Sequence, residues 1–337
     1  MKLMPGVRLN FNKDSIGMSF GVPGARYTVN SKGRRTASVG IPGTGLSDVT
    51  VLSSGRTKRS AGSAQGGWVS EVPVVAARPG LIASKAEKTF YAFMKEIFGP
   101  TATIRDSVGV VNRAAQLAQE FPQLSAPLDL LSVLHGVRDE ATSEAAYKKA
   151  EELWANRQVI FGDKLVRKYF GGICPSVQIT RGIFSSGQFN QQSFGFLVSE
   201  ALQAQDRFAD ALAVLDQMQP DQLVGISIAD LEVVSGDYDG AIETTEDIEN
   251  EDDATAIMLV LRGIAFREKG LDDAALECFK RAIAKKSRSE DVIHRALFER
   301  AATYKKMGKN AAAKKDLEKI LVDNPKAEGV TEALAAL

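Results

Sequence analysis

Few of the residues that most often carry chemistry are present. The 337-residue chain has two histidines, two cysteines and two tryptophans. His135 ends the apolar run LDLLSVLHG and His294 precedes the last helical segment; each is expected to be a satisfied surface or capping residue. Cys174 and Cys278 are far apart and lack metal-type spacing, which suits a reducing cytosol better than a disulfide framework. Cys278 stands beside Phe279 and is expected to be a small core residue, whereas Cys174, in GGICPS, is expected to be a free loop thiol. No run of about 18 apolar residues occurs, so no membrane insertion is expected. The start MKLMPGVRLN lacks the apolar core and small-residue cleavage site of a signal peptide, and a cytoplasmic location is expected.

A phosphate loop is missing too. The cluster GIPGTG (residues 40–45) is followed by Leu46, Ser47 and Asp48, without the lysine-hydroxyl pair and helix that phosphate cradling requires. Pro42 with Gly43 and Gly45 suits a tight turn instead. With no metal cluster and no triad-like arrangement either, the expectation is a non-catalytic chain with no cofactor and no metal site.

Composition is that of a globular protein, 44% hydrophobic and 25% charged, and the length suits two or three domains. The formal net charge of zero conceals a division. Residues 1–80 hold 11 Lys/Arg against three Asp/Glu, a net of +8, and the remainder balances it at −8. A basic head on an acidic body can bind an anionic partner, or the two parts can attract each other.

Between Gly6 and Ile41 apolar residues alternate with polar ones or glycine: Val7, Leu9, Phe11; Ile16, Met18, Phe20; Tyr27, Val29; Ala37, Val39, Ile41. Turn signals at residues 12–15, 22–25 and 31–34 separate the runs, a pattern that predicts an antiparallel β meander with one apolar face. Such a sheet needs cover, which a helical domain or a second copy would supply. The motifs PGVRLN (residues 5–10), the glycine-basic turn Gly33 to Arg35, and GIPGTGLS (residues 40–47) resemble the bacterial N-terminal family catalogued as domain of unknown function 4236. The resemblance covers about the first 50 residues and implies an architecture and a bacterial or phage origin, not an activity. Family members carry a basic, aromatic strand before PGVRLN, where this chain has only Met1 to Met4.

Residues 53–80 are rich in Ser, Gly and basic residues and predict a flexible linker, with Trp68 as a candidate anchor. Downstream, a 34-residue helical repeat can be traced. LVLRGIAFREKGLDDAALECFKRAIAKKS places Leu259, Gly263, Phe266, Gly270, Ala275, Phe279 and Ala282 at the small and large positions of a tetratricopeptide repeat, which it resembles closely. Leu297, Ala301, Tyr304, Gly308, Ala313, Leu317 and Ile320 repeat them after 38 residues, and Pro325 stops the helix. Degenerate copies fall at Ala229, Gly236, Ala241 and Ile248, and more weakly at Leu202, Ala211, Leu215 and Met218.

The predicted fold is therefore α+β and multidomain: an antiparallel β module (1–52), a linker (53–80), a helical region (81–170) and a tetratricopeptide-like solenoid (171–337). The expected function is a non-catalytic interaction scaffold or adaptor. Its helical groove would bind a protein partner, and its β module would serve homo-oligomerisation or docking. Candidate partner contacts are Arg262, Arg267, Arg300 and Tyr304 on first helices, with Phe184 and Phe189 from the phenylalanine-rich segment 180–196. The alternative is a nucleic-acid-associated protein, with Arg34, Arg35, Arg56, Lys58 and Arg59 as candidate anion contacts. An acidic stretch, residues 236–253 with nine acids and no Lys or Arg, precedes a basic one at residues 262–319.

Overall fold

The computed structural model describes residues 77–98, 102–180, 183–285, 287–325, 327 and 329–337, with backbone alone at 184 and 186, and the backbone of six strands between residues 2 and 53. These strands are β1 (Lys2–Met4), β2 (Val7–Asn12), β3 (Ser15–Val22), β4 (Ala25–Asn30), β5 (Arg35–Gly40) and β6 (Ser47–Ser53), paired antiparallel in sequence order. Val7 stands opposite Phe20, and Phe20 opposite Tyr27, so the alternating apolar positions fall in register across three strands. β1 and β6 flank the four alternating runs. The apolar face expected here, the GIPGTG turn and the linker at 54–76 lie outside the described residues.

The chain divides into two compact units, residues 57–219 and residues 220–337 grouped with 1–56. The first unit contains α1 (Lys85–Ile97), α2 (Ser107–Glu120), α3 (Ser125–Gly136), α4 (Ser143–Ala155), α5 (Arg157–Gly162) and α6 (Lys164–Tyr169). A hairpin of β7 (Ser176–Thr180) and β8 (Ile183–Ser186) follows, then α7 (Gln191–Gln203) and α8 (Phe208–Asp216). Four of these helices, α1, α2, α6 and α7, start at a side chain that caps them. Ser84, Asp106 and Asp163 accept from backbone N–H groups two or three residues on, and Asn190 and Ser193 form a capping box at α7.

The two compact units divide at 219/220, and packing places the helices on both sides of residue 170 in the first of them. Gly195 lets α7 lie against α4: a Cβ there would stand 2.6 Å from Met218 Sδ and 2.9 Å from the Trp154 ring. Arg138, just after α3, donates through Nε and Nη2 to both Glu200 carboxylate oxygens at 2.8 and 2.7 Å, and also to Ser176 O at 2.7 Å. Arg207 grips Glu151 in the same two-pronged way at 2.6 and 2.9 Å. These contacts fasten the β7–β8 hairpin and α7–α8 to the preceding helices.

The second unit contains three helix pairs: α9 (Gln222–Ser235) with α10 (Tyr238–Thr244), α11 (Asp253–Glu268) with α12 (Asp272–Ala282), and α13 (Glu290–Lys306) with α14 (Asn310–Asp323). A short helix, α15 (Val330–Ala335), packs Val330 onto the cluster of Leu297, Leu317 and Ile320. Each pair turns through one residue with positive φ, two before the second helix: Gly236 (85°), Gly270 (78°) and Gly308 (73°). Left-handed backbone there suits glycine. At the last two turns the chain closes with a paired bond, Leu271 N–H to Phe266 O with Gly270 N–H to Arg267 O, and Lys309 N–H to Tyr304 O with Gly308 N–H to Lys305 O. The α7–α8 turn uses the same bonds, with Asp206 at φ 56° in the glycine position.

Small residues set the distance between paired helices. A Cβ on Gly263 would stand 2.5 Å from Phe279 Cε1, and Phe279 is fully buried. Ala229, Ala241, Ala275, Ala282, Ala301 and Ala313 are likewise buried at the positions the repeat requires. The four extra residues between the last two turns lengthen the second helix, 11 residues in α12 against seven in α10, and bring its end to the α12–α13 connection. There Asn250 Nδ2 donates to the C-terminal carbonyls of Arg281 and Ala282, while Arg288 donates to Asn250 and to Glu251 O.

Gly263→Ala should destabilise the protein, because about 1 kcal/mol of gained helix propensity is smaller than the about 1–3 kcal/mol expected of overpacking a ring that cannot move. Thermal or urea unfolding checks this. The added change Phe279→Leu should recover part of the loss.

Candidate interaction surface

Helices α9, α11 and α13 pack side by side as one layer, and α10 and α12 each pack on their own first helix and on the one after it. In such an array the first-helix layer is where a groove would be sought. Here its middle member is enclosed. Every residue of α11 from Asp253 to Leu261, and from Gly263 to Ala265, is buried, Ile257, Val260 and Ile264 included. A helix that is apolar on all sides belongs inside a core. α11 therefore offers no open reading face along this stretch.

Two of the three arginines singled out on first helices, Arg267 and Arg300, have internal partners. Arg267 Nη1 meets Glu299 Oε2 at 2.8 Å, bridging α11 to α13, with both side chains largely buried. Burial works against the Arg267 charge, but the Glu299 and Glu268 carboxylates outweigh it and hold its pKa up. Arg300 donates through Nε and Nη2 to both oxygens of Asp316 at 2.7 Å each, so α13 and α14 are joined by a two-pronged ion pair around a buried carboxylate. Tyr304 lies under the Arg300 guanidinium, 5.9 Å from it, and is half-buried. Arg262 differs from these two. Its Nε donates to Thr245 Oγ1 at 3.2 Å, its Nη2 has no hydrogen-bond partner, and burial lowers its pKa.

Phe189 is not an accessible docking residue. At 6% exposure it sits in an aromatic cluster with Phe161 and Phe170, each at 5.4 Å, and Phe194 at 6.1 Å. Phe194 and Phe196 are also buried, so the phenylalanine-rich segment builds the core of the first unit. Phe184 lies on β8, and its side chain is outside the described residues. Arg35 lies on β5; its side chain, together with Arg34, Arg56, Lys58 and Arg59, is likewise outside them.

His135 is half-buried. It faces Phe98 at 5.7 Å, and burial pushes its imidazole down to about 4, so the ring is neutral at pH 7. His294 Nε2 stands 3.3 Å from Asp323 Oδ2. Cys278 is buried and its thiol is pushed up, first by burial; Cys174 is half-buried. Among the described residues no group of three or more His, Cys, Asp or Glu side chains could hold a metal ion.

Charge of the acidic and basic stretches is partly consumed within the second unit. Asp239 pairs with Lys269, Asp253 accepts from Ser289 N–H and lies 3.7 Å from Arg288, and Asp237 and Asp252 cap helices. Lys306 pairs with Asp272 at 3.0 Å. In sequence the two stretches are blocks of charge whose exposed members carry no mark of their own. Position counted from each turn is the signal that separates them.

Comparison with known proteins gives one family match and a likeness in fold. Residues 1–49 match the family described as protein of unknown function (DUF4236). No curated protein matches the sequence. Among solved structures, the N-terminal domain of the EccA1 ATPase from the ESX-1 secretion system of Mycobacterium tuberculosis is similar in fold, with a TM-score of 0.56 at 14% identity. The likeness covers 74% of this chain and 88% of that one. No described helix is long and apolar enough to cross a membrane.

Two measurements follow from the geometry. Arg300→Ala should destabilise the fold by about 3 kcal/mol, since it strands the buried Asp316 carboxylate, whereas Arg300→Met with Asp316→Leu should restore most of that loss in denaturant unfolding. For His135, the pKa is lower in the folded chain than in the unfolded one. Stability is therefore full above the unfolded value of about 6.5 and falls as pH drops toward 4, by up to about 3 kcal/mol. Unfolding of His135→Gln across that window should show a shallower pH dependence than the parent protein.

Proposed function

We propose that the chain is a non-catalytic scaffold whose tetratricopeptide-like helix pairs hold a protein partner, with the N-terminal β module used for assembly or docking. The observation that supports this reading best is the repetition of one turn and one small-to-large packing scheme through α9–α14, a construction that presents surface along its length. The enclosed α11 narrows the choice of surface. Reading positions belong on α13, where Ala302 and Lys305 are exposed, and on the outward sides of second helices, not on Arg267 or Arg300.

A photo-crosslinker at Ala302 of the full chain, irradiated in cells, tests this. A discrete protein adduct that is absent when the crosslinker stands on the exposed side of α2, for example at Gln119, supports the scaffold. Adducts of equal pattern from both positions would sink it.

The charge of residues 1–80 favours a second reading, in which this basic head grips nucleic acid. Affinity for a duplex would then fall steeply between about 0.05 and 0.2 M salt, as release of counterions requires. A flat response removes that reading.

A further inference from the structure

Counted from the first residue of each second helix, equivalent positions change sign along the array. The sixth residue is Glu243 in α10, Glu277 in α12 and Lys315 in α14; four residues further on stand Arg281 in α12, Lys319 in α14 and, in the turn three residues past the end of α10, Asp247. In the middle pair these charges are engaged: Glu277 with Lys280 at 3.1 Å, and Arg281 donating to Ile248 O at 3.2 Å. At the two ends they are exposed. Among the described residues Glu243, Asp247, Lys315 and Lys319 have no ion pair, and neither do the neighbouring Glu246, Glu249 and Lys309. Arg262 lies behind Glu246 and Asp247 but bonds Thr245. The lysine stripe continues into Val322, which is 80% exposed.

We propose that this chain associates head to tail with a second copy of itself, the α14 stripe of Lys315, Lys319 and Val322 lying on the acidic stripe at Glu243, Glu246 and Asp247. Three observations favour a second copy over another acidic protein. The complementary surface is carried by the same chain. Both stripes are exposed and free of ion pairs among the described residues. Lastly, the α11–α12 pair stands between them, so one chain cannot bring its own stripes together. A contact between two different surfaces is heterologous and propagates unless its rotation closes. The stripes lie on second helices, so this inference is tested apart from the α13 position at Ala302.

The test is sedimentation velocity of the full chain at about 0.05 M and about 0.5 M salt, where charge screening differs strongly. Association at low salt that is lost at high salt is expected. Lys315→Glu/Lys319→Glu and Glu243→Lys/Glu246→Lys should each weaken it by about tenfold or more. An equimolar mixture of the two variants should associate again, because each reversed stripe then meets a reversed complement; a misfolded variant could not produce that rescue. A monomer at low salt overturns the proposal, as does association that both variants leave intact. Binding of the lysine stripe to an unrelated acidic protein by an otherwise monomeric chain overturns it too.

Discussion

The separation of α11 from α12 rests on a missing side chain. Gly263 faces a Phe279 ring that has no room to retreat, and the helix axes can come that close only where no Cβ intervenes. Around that approach the alanines at 229, 241, 275, 301 and 313 do the same with less severity. Each first helix is then near enough to its successor for Arg267 to reach Glu299, and each second helix near enough for Arg300 to reach Asp316. The ion pairs follow from the packing. They fix the register of helices that burial of apolar area has already brought together.

The parts of this architecture that were legible in the sequence are local ones. Gly263, Gly270 and Phe279 fall within 17 residues of one another, and a turn that needs positive φ, between helices that need a small residue, leaves a mark at fixed spacing. The same marks recur at Ala301 and Gly308. The α7–α8 pair carries the mark faintly, because Asp206 adopts the turn that glycine adopts elsewhere. Its membership of the first unit could not be foreseen, since it depends on Gly195 meeting Trp154 and on Arg138 reaching Glu200, contacts spanning 41 and 62 residues.

The candidate surface was harder to see for a related reason. A helix-face position says where a side chain starts, not whether the next helix brings a carboxylate to it. Arg267 and Arg300 were on the expected helices and became internal braces. Phe189, among Ser, Gln and Asn, had the composition of an adaptable surface, but three aromatic neighbours, from α5, the single 3-10 turn at residues 170–172 and α7, close over it. The acidic and basic blocks were plain as composition; which of their members are exposed depends on the phase of each helix relative to its turn.

The enclosure of α11 also bears on how the molecule moves. Its backbone amides have no neighbouring solvent along most of the helix, and its side chains contact the helices before and after it. Opening it requires displacing both adjoining pairs, whereas the ends, α10 and α15, are short and half-solvated. Proton exchange at α11 would therefore report the lifetime of the whole array. Anything that holds the array at its ends would slow that exchange.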